Sequence, residues 1–87
     1  MNHIKWKPAA IKLLMRISPK KQRERIYNQV QRLAYWPNLD ADIKKLQSRA
    51  GYRLRVGDYR VIFEIDQNSH PIIIKIDEVR KRDEQTY

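Results

Sequence analysis

The sequence predicts a small α+β domain: a mainly antiparallel sheet with a helical hairpin on one face, in the order β-α-α-β-β-β. Three observations carry this. Residues 52–56 and 59–66 alternate apolar and polar side chains around Gly57-Asp58, the mark of two half-buried strands joined by a tight turn. Between residues 8 and 35, apolar side chains recur at helical spacing in two runs, each opened by a proline. Residues 72–79 alternate again, with Ile72, Ile74 and Ile76 set against Ile73, Lys75 and Asp77. With 87 residues the chain makes one domain, 1–87, with a small core.

Taken in order, residues 2–6 form a short strand with Ile4 and Trp6 on one side. Its docking position is left open by the sequence. Pro8 suits the first turn of a helix, where its missing N–H costs nothing. That helix runs over 8–16, with Ala10, Ile11, Leu14 and Met15 as its apolar stripe. Ser18 is the expected N-cap of a second helix over 19–35, with Pro19 at its first position. Ile26, Val30, Leu33 and Ala34 form the buried face of this helix. Trp36-Pro37 ends it. A polar connection over 37–50 follows, in which Ile43 and Leu46 anchor one helical turn.

The two strands over 52–66 are the element on which the rest is arranged. Gly57 in the first position of a two-residue loop suits a type II′ turn, which needs positive φ there. Such a loop fixes the register: Val56 faces Tyr59, Arg55 faces Arg60, Leu54 faces Val61 and Arg53 faces Ile62. Tyr52, Leu54, Val56, Tyr59, Val61, Phe63 and Ile65 then face the core under the helices. Arg53, Arg55 and Arg60 share the uncovered face, as an antiparallel sheet allows. Like charges directly opposite cost a sheet a few tenths to about 1 kcal/mol. A polyanion would offset that cost; the alternative is that the long side chains splay into water.

Charge points the same way. The chain carries 19 Lys and Arg against 10 Asp and Glu, a net of +9. The excess lies in residues 1–36, where Glu24 is the one acidic residue. Lys20, Lys21, Arg23 and Arg25 crowd the start of the second helix, where cations oppose the macrodipole at about 0.3–1 kcal/mol each. Nucleic acid or an acidic protein is the partner class that follows. With no cysteine and only His3 and His70, disulfides, thiolate chemistry and a histidine metal cage are excluded, and no metal or cofactor is expected. His70 falls in an exposed turn without a partner to orient it, and Trp6 and Trp36 read as core-edge residues. Asp40 with Asp42, and Asp77 with Glu78, read as solvated charges. No signal peptide or apolar span is evident, so the cytoplasm is the expected compartment and no membrane partner is expected.

The stretch from Gly51 to Ile65 resembles the core of the RelE/ParE toxin superfamily of bacterial toxin–antitoxin systems. So do Ile43-Lys44-Lys45-Leu46, the late Arg80-Lys81-Arg82-Asp83, and Tyr87. RelE-like members cut mRNA on the ribosome without metal; ParE-like members inhibit DNA gyrase. The resemblance implies a toxin bound by an acidic, partly disordered antitoxin in a hetero-oligomer, and the RelE-like branch is the favoured reading. It carries Arg53 and Arg55 onto two basic positions that are lysines in RelE, and Arg60 onto an arginine. Lys81 or Arg82 matches the catalytic basic residue of the tail, and Tyr87 the C-terminal tyrosine. The Glu/His pair of YoeB-like relatives has no match.

In such a site Arg60 and Arg55 would stabilise the phosphorane, since guanidinium is always charged and fits phosphate oxygens. Arg53 and Lys81 are positioning or acid candidates, and Tyr87 a base or stacking candidate. Lys5, Lys7, Lys12, Lys20, Lys21, Arg23, Arg25 and Arg80 would grip RNA. This set lacks a strong acid–base pair, so a ribosome that holds the mRNA in line would have to supply the positioning, worth about 7–11 kcal/mol. Gyrase inhibition and a non-catalytic basic RNA-binding module are the competing functions.

Overall fold

The computed structural model describes residues 1–81. These form β1 (His3–Trp6), α1 (Pro8–Met15), α2 (Lys20–Gln31), a 3₁₀ turn (Arg32–Tyr35), β2 (Ile43–Lys45), β3 (Tyr52–Val56), β4 (Tyr59–Asp66) and β5 (Ile73–Lys81). The strands make one mixed sheet in the order β1-β5-β4-β3-β2. The two helices cover one face, as the patterning requires.

The hairpin is as read from its turn. Gly57 has φ 59°, and the register pairs Val56 with Tyr59, Arg55 with Arg60, Leu54 with Val61 and Arg53 with Ile62. β1, left unplaced by the sequence, lies parallel to β5, with Ile4 beside Ile74 and Trp6 beside Ile76. The helices and β2–β4 all lie between β1 and β5 in the chain, which meets a parallel pair's need for a long connection.

Three local expectations are corrected. Ile43 does not sit in a helical turn. It opens β2, which pairs antiparallel with β3 through Ile43–Leu54 and Lys45–Tyr52. Ser18 does not cap α2: Pro19 holds the N-cap position, and no side chain bonds the helix start. In α1 the buried residues are Ala10 and Leu14, while Ile11 and Met15 are exposed. The stripe that meets the sheet continues through Ile17, one turn beyond the two predicted positions.

The core joins Ala10, Leu14, Ile17, Ile26, Val30 and Leu33 of the helical layer to Leu54, Val56, Val61, Phe63, Ile74, Ile76 and Val79 of the sheet. Trp6 stacks on Tyr27 at 5.9 Å, and Trp36 tilts against Tyr52 at 6.2 Å. Both tryptophans thus lie at the core edge.

β5 is not a regular strand. Val61 pairs with Val79 and Ile62 with Glu78, but Phe63 pairs with Ile76, so Asp77 is an extra residue in β5. Such a bulge reverses which face later residues occupy. Ile74 and Ile76 face the core and so does Val79, three positions on. Without the bulge, residue 81 would share the face of Arg60; with it, Arg80 does.

Candidate basic site on the open sheet face

Register sets the geometry of the site. Arg55, Arg60 and Arg80 are direct neighbours on three adjacent strands, since Arg55 pairs with Arg60 and Arg60 with Arg80. Strands lie about 4.8 Å apart, so three guanidinium stems stand in a line across the face opposite the helices, one position from the Gly57-Asp58 turn. The adjacent line is Arg53, Ile62 and Glu78. Arg53 and Arg60 line a shallow groove of about 410 Å³, closed at its edge by Lys44, Lys45, Leu46, Gln47 and Ser48.

The cations are partly compensated. Asp42, exposed at the sheet edge, holds Arg53 at 3.3 Å and lies 3.9 Å from Arg55. One carboxylate between two guanidiniums leaves positive charge in excess. The expectation that this face is bare also needs correction. Ile62 lies on it yet is 1% exposed, and the Arg53 side chain is 12% exposed. The connection between β2 and β3 reaches over: the Arg49 guanidinium donates to Glu78 on β5 at 2.9 Å. Glu78 accepts from Arg80 with its other oxygen.

Beside this lies a carboxyl cluster that pattern reading missed. Asp77 is 7% exposed, not the solvated charge expected. Lys7 sits 2.6 Å from its Oδ1 and Arg49 lies 3.9 Å from its Oδ2. The hydrogen bond and charge of Asp77 raise the Lys7 ammonium above its usual range. Glu64 is raised as well, first because it shares a hydrogen bond with Asp77 and second by burial, against the pull of Lys7 and Arg49. Glu64 therefore holds its proton to a higher pH than an ordinary glutamate. In Glu78, burial works to raise the carboxyl, but the bonds from Arg49 and Arg80 outweigh it and hold it low.

This pair makes a pH prediction. A raised folded-state value means that Glu64 stabilises the fold fully below its unfolded value, near 4.5. That contribution is lost as pH rises through the folded value. Glutamine keeps the donor at every pH. Glu64→Gln is expected to raise stability at pH 8 by about 0.5–1.5 kcal/mol, the worth of one hydrogen bond, and to lose that advantage below about pH 4.5. Thermal melts across this range check it; a variant less stable than wild type at pH 8 would contradict the shared proton.

The other sequence-derived candidates divide between two sides. Lys5 and Lys7 stand at the β1 edge of the open face, Lys5 beside Lys75. Lys12, Lys20, Lys21, Arg23 and Arg25 belong to the helical layer. There Lys20 approaches Glu24 at 3.8 Å, and Arg23 donates to the Ile17 carbonyl at 3.2 Å. Lys81 pairs with Tyr59 and lines a crevice with Ser18, Arg25 and Gly57. It is therefore not beside Arg55 and Arg60. Arg82 and Tyr87 lie outside the described residues.

A family model described as the ParE toxin of the type II toxin–antitoxin system parDE matches residues 4–85. The chain belongs to this family. It is thus a toxin of the RelE/ParE superfamily of type II toxin–antitoxin systems. Among solved structures it is similar to the toxin of the archaeal RelE–RelB complex of Pyrococcus horikoshii, at 28% identity and TM-score 0.77, over 97% of this chain and 98% of that one. The toxin of the RelB–RelE complex of Methanococcus jannaschii is also 28% identical, with TM-score 0.68 over 90% and 89% of the two chains. The toxin of the Mycobacterium tuberculosis RelBE2 complex, 21% identical, has the same fold with TM-score 0.76 over 93% and 98%. No curated protein matches the chain. In this toxin the basic row Arg55–Arg60–Arg80 lies on the sheet face opposite the two-helix layer.

Proposed function

We propose that this toxin is a ribosome-dependent mRNA endonuclease that arrests translation. The RNA 2′-OH attacks the adjacent phosphorus, the bond to the 5′-oxygen breaks, and a 2′,3′-cyclic phosphate and a 5′-OH remain. The observation that carries this reading is the row Arg55–Arg60–Arg80, with Arg53 beside the groove. A row of guanidiniums suits a phosphorane, whose charge grows as the reaction proceeds. Arg60, at the centre, stabilises that charge together with Arg55, and Arg53 positions the strand. Lys5, Lys7 and the cations of the helical layer bind ribosomal RNA. Tyr87 and Arg82 serve as tail residues of the site. Proton transfer and in-line geometry come largely from the ribosome, because guanidinium with a pKa above about 12 is a poor base. An acidic antitoxin occupies the toxin when growth is not arrested. Its support is the net charge of +9 and the RelB bound to the similar toxins.

The second reading is gyrase inhibition, favoured by the ParE description of the matching family model. Two measurements separate them. Primer extension after induction is expected to map new mRNA ends within codons of translated messages. Supercoiling by purified gyrase is expected to be unaffected. Blocked supercoiling with intact messages would replace the first reading by the second.

A further inference from the structure

We propose that Arg49 is an additional phosphate-binding residue of this site, and that Glu78 is the positioning residue that sets both Arg49 and Arg80 on the open face. The proposal rests on the nuclease reading only in taking RNA as the polyanion. Arg49 lies in the connection between β2 and β3, where a long cationic side chain would ordinarily extend into water. Instead its guanidinium crosses β4 to reach β5. NH1 donates to Glu78 Oε2 at 2.9 Å, and NH2 lies 3.9 Å from Asp77 Oδ2. Glu78 Oε1 meanwhile accepts from Arg80 Nε. A single carboxylate therefore gathers two guanidiniums from different parts of the chain, one place along the sheet from Arg60.

Stability does not account well for this. Glu78 is partly solvated and the Arg49 side chain is 47% exposed, and exposed ion pairs contribute little. The buried member, Asp77, already has Lys7 at 2.6 Å. What the arrangement does is fix a guanidinium in advance. Arginine has five N–H donors; the bond to Glu78 occupies one, and half of the side chain is open to solvent. A fork immobilised before RNA arrives loses less freedom when it binds.

The test compares wild type with Arg49→Ala, Arg49→Lys, Glu78→Gln and Glu78→Ala. Two readouts are taken: cleavage kinetics on ribosomes programmed with one defined mRNA, and binding of a short single-stranded RNA oligonucleotide from about 50 to 200 mM salt. Arg49→Ala is expected to raise KM about tenfold, the value of one charged hydrogen bond, with kcat nearly unchanged. It should also flatten the slope of log affinity against log salt by about 0.7, one phosphate's share on a single strand. Glu78→Ala is expected to do more than Arg49→Ala, because it releases Arg80 too. Glu78→Gln, which keeps an acceptor oxygen, should recover part of the loss. Arg49→Lys keeps the ion pairs, and so the fold, but lacks the fork; its KM should lie between wild type and Arg49→Ala.

Wild-type KM and salt slope in both Arg49 variants would overturn the proposal and leave Arg49 a tether for its loop. Wild-type protein that binds no RNA would overturn it as well. Cleavage by wild type with no effect at Arg49 sinks this inference alone. Loss of RNA affinity at Arg49 in a protein that cuts nothing sinks the nuclease reading alone.

Discussion

Arg60→Ala is expected to lower the rate of ribosome-dependent mRNA cleavage by about 100- to 1,000-fold, the usual loss when one preorganised donor to a developing oxyanion is removed. Arg60 occupies the middle of the basic row, with Arg55 on one side and Arg80 on the other. It is the residue through which both neighbours would share a phosphate. Arg53 and Arg55 are expected to show smaller losses, because neither has a basic neighbour on both adjacent strands as Arg60 has. Folding should survive the change. Arg60 lies on the sheet face away from the helices and is no part of the buried core, so its removal leaves the packing under the helices intact. Arg60→Lys keeps the charge without the fork and should retain part of the activity. Single-turnover cleavage on programmed ribosomes, alongside a thermal melt, measures both quantities. A folded Arg60→Ala toxin that cuts at the wild-type rate would remove the basic row from the chemistry.

The part of this site that could be read from sequence is the part fixed by short-range rules. A two-residue loop with glycine first leaves one register for the hairpin, so the pairing of Arg55 with Arg60 followed from Gly57-Asp58. The tail residue of the row did not. Strict alternation from Ile72, Ile74 and Ile76 carries Lys81 onto the arginine face, yet the extra residue Asp77 hands that place to Arg80. A trace of the bulge was in the chain: Val79 follows Ile76 by three positions, a spacing that no regular strand buries on one face.

Elsewhere the pattern was too short or too symmetric to decide. β2 has three residues, Ile43-Lys44-Lys45, and a three-residue run shows no period. In and just after α1 the sets Ala10–Leu14–Ile17 and Ile11–Leu14–Met15 fit helical spacing equally well; packing against the sheet selects the first. Arg49 and the carboxyl cluster were invisible for another reason. Loop residues carry no periodicity, and the burial of Asp77 depends on which residues cross above it.

Phe63→Ala is expected to produce the largest loss of stability in the chain, about 3–5 kcal/mol. Phe63 is fully buried at the centre of β4, a strand with a partner on each side. Its ring stacks on Tyr52 at 5.6 Å, and Tyr52 in turn meets Trp36. Alanine would leave a cavity that the β4 backbone, held by two ladders, cannot close. A domain of this size has about 5–15 kcal/mol in total, and each kcal/mol moves its Tm by about 4–8 °C. A fall of more than about 12 °C follows. The same strand presents Arg60, Ile62 and Glu64 on its other side, so activity should fall with the folded fraction and recover on cooling. Arg60→Ala should do the reverse, losing cleavage at every temperature while keeping its melt. Phe63→Leu, which refills most of the volume, should restore most of both. Equal melting of Phe63→Ala and wild type would mean that the ring does not hold the two faces of β4 in place, and the row of arginines would then lack the rigid backing that its chemistry requires.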